Sequence, residues 1–256
     1  MLAEGPAGAR LRHLDQAAPL RVLFPATDPG DPTLGALVNV AGGLAGGDQA
    51  EIDLTLLPRA RFTMTSPAAE KIYRSLGPET TIAARIAVED EAVCEWLPQE
   101  TILFNQARLH RRMSIALAPH ARLLAAEMLV LGRAARGEVF AEGAVLDAWR
   151  VHRGGRLLWA DALRLDDPAA ASAGRFSLNG AGALATLLLA MPEAARHREL
   201  ARDLASGGAS LVAPGLLLVR WAGEATAVRE SVGAAITALR QAAFDHPARL
   251  PRLWRT

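Results

Sequence analysis

Leu57-Pro58-Arg59-Ala60-Arg61-Phe62 is answered twice further along the chain, by Val88-Glu89-Asp90-Glu91-Ala92-Val93 and by Leu117-Ala118-Pro119-His120-Ala121-Arg122-Leu123. Each copy runs from an apolar residue through a turn to an alanine and a second apolar residue. Ala60, Ala92 and Ala121 fall about 30 residues apart, a period typical of stacked β coils that bury their apolar faces only against one another. A plain meander of strands and turns gives such spacings too; the stack is the reading adopted.

The segments around these copies alternate with a period of two. Ile52, Leu54 and Leu56 share one parity, as do Phe62 and Met64, Ile82 through Val88, and Met113 through Leu117. Such alternation predicts half-buried strands, and Gly46-Gly47, Pro58, Gly77-Pro78, Pro119, Gly132 and Gly154-Gly155 punctuate them. Before this body, Pro6, Pro19, Pro25, Pro29 and Pro32 break a weakly patterned stretch in which Leu20–Phe24 is a short strand candidate. After it, the pattern predicts a helix over Glu193–Ala205, opened by Pro192 and closed at Ser206-Gly207-Gly208. Val228, Val232, Ala235, Ile236 and Leu239 form the apolar stripe of a second helix over about 224–244, with a strand pair around Pro214-Gly215 between the two. The fold class expected is therefore mainly β: a solenoid-like, β-helical stack of short strands (about 20–167) with two C-terminal α-helices (about 175–245) packed on it as one domain over 1–256.

Composition narrows the function. With 51% hydrophobic and 21% charged residues in 256, the chain is globular, and a net charge of +1 offers no field for nucleic acid or an anionic membrane. The longest apolar run, near Ala181–Met191, falls short of the ~20 residues a membrane span needs. A lone Cys94 and no basic, apolar leader make the cytoplasm the expected compartment. No pair of its scattered histidines has the spacing of a metal cluster, and no Gly-x-Ser-x-Gly elbow occurs. Gly42-Gly43-Leu44-Ala45-Gly46-Gly47-Asp48 lacks the Lys-Ser/Thr of a phosphate loop and ends on a carboxylate that would repel an anion. These absences favour a scaffold that works by assembly over an enzyme.

Two alternatives stay open at this level. Inward acids in Glu95-Trp96-Leu97-Pro98-Gln99-Glu100-Thr101-Ile102-Leu103-Phe104 would either pair with arginines or mark a polar cavity. A β-solenoid enzyme acting on carbohydrate would need two carboxylates ~5–10 Å apart, for which Glu95 with Glu138 is the candidate pair. A purely structural bridge binding no metal is the other.

Five blocks, in order, resemble the UreD (UreH) family of urease accessory proteins. They are the glycine loop with Gly46, Gly47 and Asp48; Glu70, Lys71, Tyr73, Arg74 and Ser75; Glu95, Trp96, Pro98, Gln99 and Glu100; Gly132 and Arg133 with Gly137 and Glu138; and Pro251, Arg252 and Trp254 before Thr256. Lys71 and Tyr73, the only lysine and tyrosine of the chain, both fall in the second block. The resemblance runs from about Pro19 to the last residue. It implies a β-helical fold and a role in urease maturation, in complex with the UreF accessory protein, the UreG GTPase and apo-urease. It further implies Ni²⁺ as a transient cargo passing through a polar interior, with no permanently bound cofactor. Asp48, Glu127 and Asp161 are the acidic positions the resemblance places along that passage. Widely spaced carboxylates suit such a role, since they lower the cost of a dication without caging it. The departures are a short N-terminal region, which implies either an exposed edge of the stack or a misassigned start, Val40-Ala41 before the glycine loop, Ile72 where Phe is usual, and Glu70 in place of a small hydroxyl residue.

Overall fold

The computed structural model describes residues 1–5, 8–205 and 208–255. In chain order the first strands are β1 (Leu2–Gly5), β2 (Gly8–Leu11), β3 (Leu20–Leu23), β4 (Thr33–Asn39), β5 (Gln49–Leu56), β6 (Arg61–Thr65), β7 (Glu70–Ile72), β8 (Thr80–Val88) and β9 (Val93–Leu97). They continue as β10 (Thr101–Leu103), β11 (Arg108–Leu117), β12 (Arg122–Arg133), β13 (Glu138–Val139), β14 (Ala144–Arg153) and β15 (Arg156–Leu165). Helix α1 (Pro168–Ala173), strand β16 (Ala183–Ala190), helix α2 (Arg198–Leu204), strands β17 (Ala209–Ala213) and β18 (Leu216–Gly223) and helix α3 (Ala225–Phe244) complete the order.

The chain winds through three parallel faces. The first holds β5, β8, β11 and β14; the second β6, β9 and the start of β12; the third β7, β10 and the end of β12. Register stacks like on like: Leu54, Ile86, Ile115 and Val151 on the first face, Phe62, Cys94 and Leu123 on the second, Leu44, Ile72, Leu103 and Leu131 on the third. All eleven are buried, because each inward side chain rests on its counterpart one coil away.

The repeated alanines are the corners of this stack, and each is 0% exposed. Ala60, Ala92 and Ala121 donate their N–H groups to the carbonyls of Leu57, Glu89 and Ala118 at 3.2, 3.1 and 3.2 Å, closing a tight turn. The next coil then donates back, from Val93 to Ala60 and from Arg122 to Ala92, at 2.9 Å each. Arg59 and Glu91 precede two of these alanines with φ of 61° and 58°, the left-handed step that sharpens the corner.

The C-terminal third extends the second face. Antiparallel β16, β18 and β17 add to β12, so the Ala/Leu-rich run ends in a strand covered on both sides. Leu188 and Ala190 face the coil interior, and Leu187 and Leu189 face the helices. Helix α3 lays Val228, Val232, Ala235, Ile236 and Leu239 on this sheet, the stripe expected from sequence. Its first turn is capped by Glu224, whose carboxylate accepts from Ala227 N at 2.9 Å. At its other end the Arg61 and Arg122 guanidiniums donate to the carbonyls of Phe244 and Ala243 at 3.2 and 3.4 Å, a cation pair against the helix dipole.

Three details differ from the sequence expectation. Glu193–Ala205 is not one helix but a 3₁₀ turn, Ala194–His197, running into the short α2; part of its expected stop, Ser206-Gly207, lies outside the described residues, as do Pro6 and Thr256. Helix α1 follows β15 where no helix was expected, started by Asp167 accepting from Ala170 N at 2.9 Å with Pro168 at its first position. The proline-broken N-terminus still forms the β1–β2 hairpin, which extends the first face beyond β5 by pairing Leu2 with Leu56.

Candidate functional site

Inside the coils, Arg111 on β11 shares parity with Leu109, Met113 and Ile115, so it points inward. On β14, Asp147 shares parity with inward Val145, Trp149 and Val151. The neighbouring strand register sets these two residues opposite each other. Arg111 donates to Asp147 through Nε at 2.9 Å and through Nη2 at 2.7 Å, a two-toothed fork. Its Nη1 donates to Glu127 Oε2 at 2.5 Å and to Thr101 Oγ1 at 3.2 Å. Trp96 Nε1 donates to the other oxygen of Glu127 at 2.7 Å.

This triad sets one guanidinium against two carboxylates, all three buried, so with both acids ionised it carries one uncompensated negative charge. Burial opposes charge on Arg111, but Asp147 and Glu127 outweigh it and hold its pKa above the ordinary arginine value. Burial pushes the Glu127 carboxyl up; Arg111 and the Trp96 N–H pull against that push, and Asp147 adds to it.

Two cavities meet at the triad. One, of about 180 Å³, runs from a rim at Gly42, Pro67 and Lys71 past Glu70 to Trp96, Arg111 and Glu127. The other, of about 500 Å³, runs from Arg111, Glu127 and Asp147 to Asp161, Arg220 and Trp221. Arg111 and Glu127 are the lining residues common to both. Of the three acids expected along a passage, Glu127 stands at this junction and Asp161 lines the second cavity, paired with Arg220. Asp48 lines neither. It is exposed and closes the glycine loop, accepting from Ala45 N at 2.8 Å. Glu70, at the rim of the first cavity, accepts from Asn39 Nδ2 at 3.0 and 3.2 Å; burial raises its pKa against those bonds and against Lys71. Among the described residues no group of three His, Cys, Asp or Glu side chains is arranged to hold a metal ion.

Most of the remaining motif residues make contacts that hold the fold together. Glu95 faces out of the second face and is covered by α3 and the C-terminal segment, 0% exposed. Arg240 Nε donates to its Oε1 at 2.8 Å, His246 Nδ1 lies 2.8 Å from the same oxygen, and the Thr63 hydroxyl donates to Oε2. Burial alone would raise the Glu95 carboxyl, but the bond to His246 and the charge of Arg240 override it and hold its pKa at about 2. Beside it, Cys94 is driven well above the ordinary thiol range, by burial first and the Glu95 charge second, so it stays an inert thiol. Gln99 Nε2 donates to Leu253 O at 2.7 Å and Trp254 Nε1 to Leu97 O at 2.8 Å, strapping the C-terminal segment, whose Pro251 is buried and Arg252 exposed, to the coil. Glu100 pairs with Arg229, which also sits 4.9 Å above the Trp254 ring.

A ladder of contacts binds the coil edge. Tyr73 Oη donates to Gly42 O at 3.0 Å, and the Tyr73 ring meets Phe104 edge-on at 5.1 Å. Arg133 lies 4.0 Å over Phe104 and donates to Glu138 at 3.0 and 2.5 Å. Gly43 and Gly46 have no room for a Cβ, which would strike Tyr73 and Ser75; Gly132 and Gly137 take positive φ at the turn into β13. Ser75 Oγ donates to Pro78 O at 2.5 Å; Lys71 and Arg74 are exposed, and Lys71 lines the first cavity together with Pro98. Glu138 thus belongs to this edge and Glu95 to the helix-covered face. The two do not form a carboxylate pair for glycoside chemistry, since Glu95 has no solvent access and is committed to Arg240.

Arg111 and Asp147 escape a search for motifs, because neither lies in one. Parity finds them: each is a charged residue at an inward position of a strand otherwise lined with apolar side chains.

The family model described as UreD urease accessory protein matches residues 2–255. A urease accessory protein UreD of Granulibacter bethesdensis is 50% identical over 238 residues, covering 91% of this chain and 99% of that protein. One from Magnetococcus marinus is 44% identical over 264 residues, covering 96% and 89%. Among the described residues no helix is long and apolar enough to cross a membrane. The chain belongs to the UreD family of urease accessory proteins, accessory factors of urease maturation and not themselves enzymes.

Proposed function

We propose that this chain conducts Ni²⁺ through its interior to apo-urease, in a cytoplasmic complex with the UreF accessory protein and the UreG GTPase. The observation that carries the proposal is the meeting of two cavities at Glu127. A dication entering at the Glu70 rim would pass to Glu127 and Asp147 and leave toward Asp161. With both acids ionised, the triad's single negative charge offsets part of the cost of bringing it out of water. Isolated carboxylates hold Ni²⁺ loosely compared with histidine or thiolate cages, so the ion is passed on and not kept. Asp48 takes no part in this path; its task is to close the glycine loop.

Glu127→Gln tests the proposal, because it removes the charge and keeps the shape. Co-expressed with the maturation partners, the variant should assemble with UreF, UreG and apo-urease as the parent does, while urease activation falls. Unchanged activation at unchanged assembly would identify the chain as a structural bridge that carries no metal.

A further inference from the structure

Arg111 stands where an ion on this path would have to stand. It occupies the junction of the two cavities and places its single positive charge between Glu127 and Asp147, the two carboxylates best positioned to receive a cation. We propose that Arg111 is a resident gate: its guanidinium fills the cation position between Glu127 and Asp147, and a divalent metal ion passes only by displacing it. This inference rests on the passage described above and adds the device that controls it.

The geometry says how the gate would open. Arg111 is forked onto Asp147 by two bonds and onto Glu127 by one. The weaker attachment parts first, so the side chain pivots on Asp147 and uncovers Glu127. Room for the movement lies in the second cavity, about 500 Å³ on the Asp147 side. A guanidinium does not lose its proton in a protein, so the gate stays charged at every physiological pH, unlike a lysine or histidine in its place. A sodium or potassium ion offers the carboxylates no more charge than Arg111 already supplies. A dication offers twice as much and leaves the pair neutral, so the gate discriminates by charge.

The test is Ni²⁺ binding to the purified full-length chain, with Ni²⁺ alone as the probe. Arg111→Gln removes the competing positive charge and leaves both carboxylates, so it should bind Ni²⁺ more tightly than the parent by on the order of 10–100-fold. Adding Asp147→Asn to that variant should return the affinity to the parent level. Arg111→Lys keeps one charge but cannot bridge both acids; it covers the case in which Arg111→Gln fails to fold, and should bind Ni²⁺ several-fold more tightly than the parent. A folded Arg111→Gln, or failing that Arg111→Lys, with parental affinity overturns the gate. That failure is distinct from failure of the passage, which is read from urease activation with Glu127→Gln.

Discussion

Glu95 and Glu127 are both buried, both bonded to an arginine, and sit on adjacent coil strands, yet their surroundings oppose each other. Glu95 and Asp31 are met by Arg240 and Arg249, two acids against two guanidiniums, with His246 and Thr63 completing the bonds. The cavity beside that cluster is about 10 Å³, room for one water at most. Glu127 and Asp147 share a single arginine, and both are flanked by open space. The first cluster holds the N-terminal loop, α3 and the C-terminal segment together. The second sets two carboxylates against one guanidinium beside a cavity of about 500 Å³. Burial of a carboxylate therefore does not mark a functional site by itself; the charge balance around it and the space next to it do.

The largest expected effect separates the two glutamates in stability. Glu95→Gln leaves a buried arginine short of its counter-charge and should cost about 3–5 kcal/mol in denaturant unfolding. Glu127→Gln brings its cluster to one acid and one base. The amide can accept from Trp96 or Arg111 but not from both, so the loss should be near one hydrogen bond, about 1–2 kcal/mol. Equal losses would erase the distinction.

Acid unfolding sharpens the same contrast. With its folded pKa held at about 2 against the ordinary carboxylate value of 4.5, Glu95 contributes stability that is complete above about pH 5 and is lost as pH falls toward 2. The stability gap between the parent and Glu95→Gln should accordingly stay constant from neutrality to about pH 5 and narrow below it. A gap that persists undiminished to pH 2–3 would mean that Glu95 is not held ionised by its partners.

The smallest effect concerns how α3 is seated over Glu95. Arg61→Ala and Arg122→Ala each remove one cation from the helix C-terminus and should cost about 0.3–1 kcal/mol in thermal unfolding, less at high salt. Neither should alter urease activation, since both lie outside the lining of the two cavities that meet at Glu127.

Much of this could be read from sequence, for reasons of physical scale. The corner alanines were legible because a fully buried turn admits no larger side chain, and the α3 stripe because one face of a helix must meet the sheet. Strand β16 was not legible: buried on both sides, it has no polar parity, and a short apolar run of that kind looks the same as a buried helix. At the site, Glu127 and Asp161 came from the family resemblance, while Arg111 and Asp147 depend on contacts between strands 36 residues apart. Asp48 shows the opposite limit. Its carboxylate, next to a glycine loop, looked available, and only the turn geometry reveals that its own loop uses it.

The most direct test of the central claim is the nickel content of urease matured with Glu127→Gln, measured per active site alongside the unfolding midpoint of the variant and its recovery in the partner complex. The account predicts a folded, assembled variant and a urease depleted in nickel. A urease fully loaded with nickel under those conditions would contradict it.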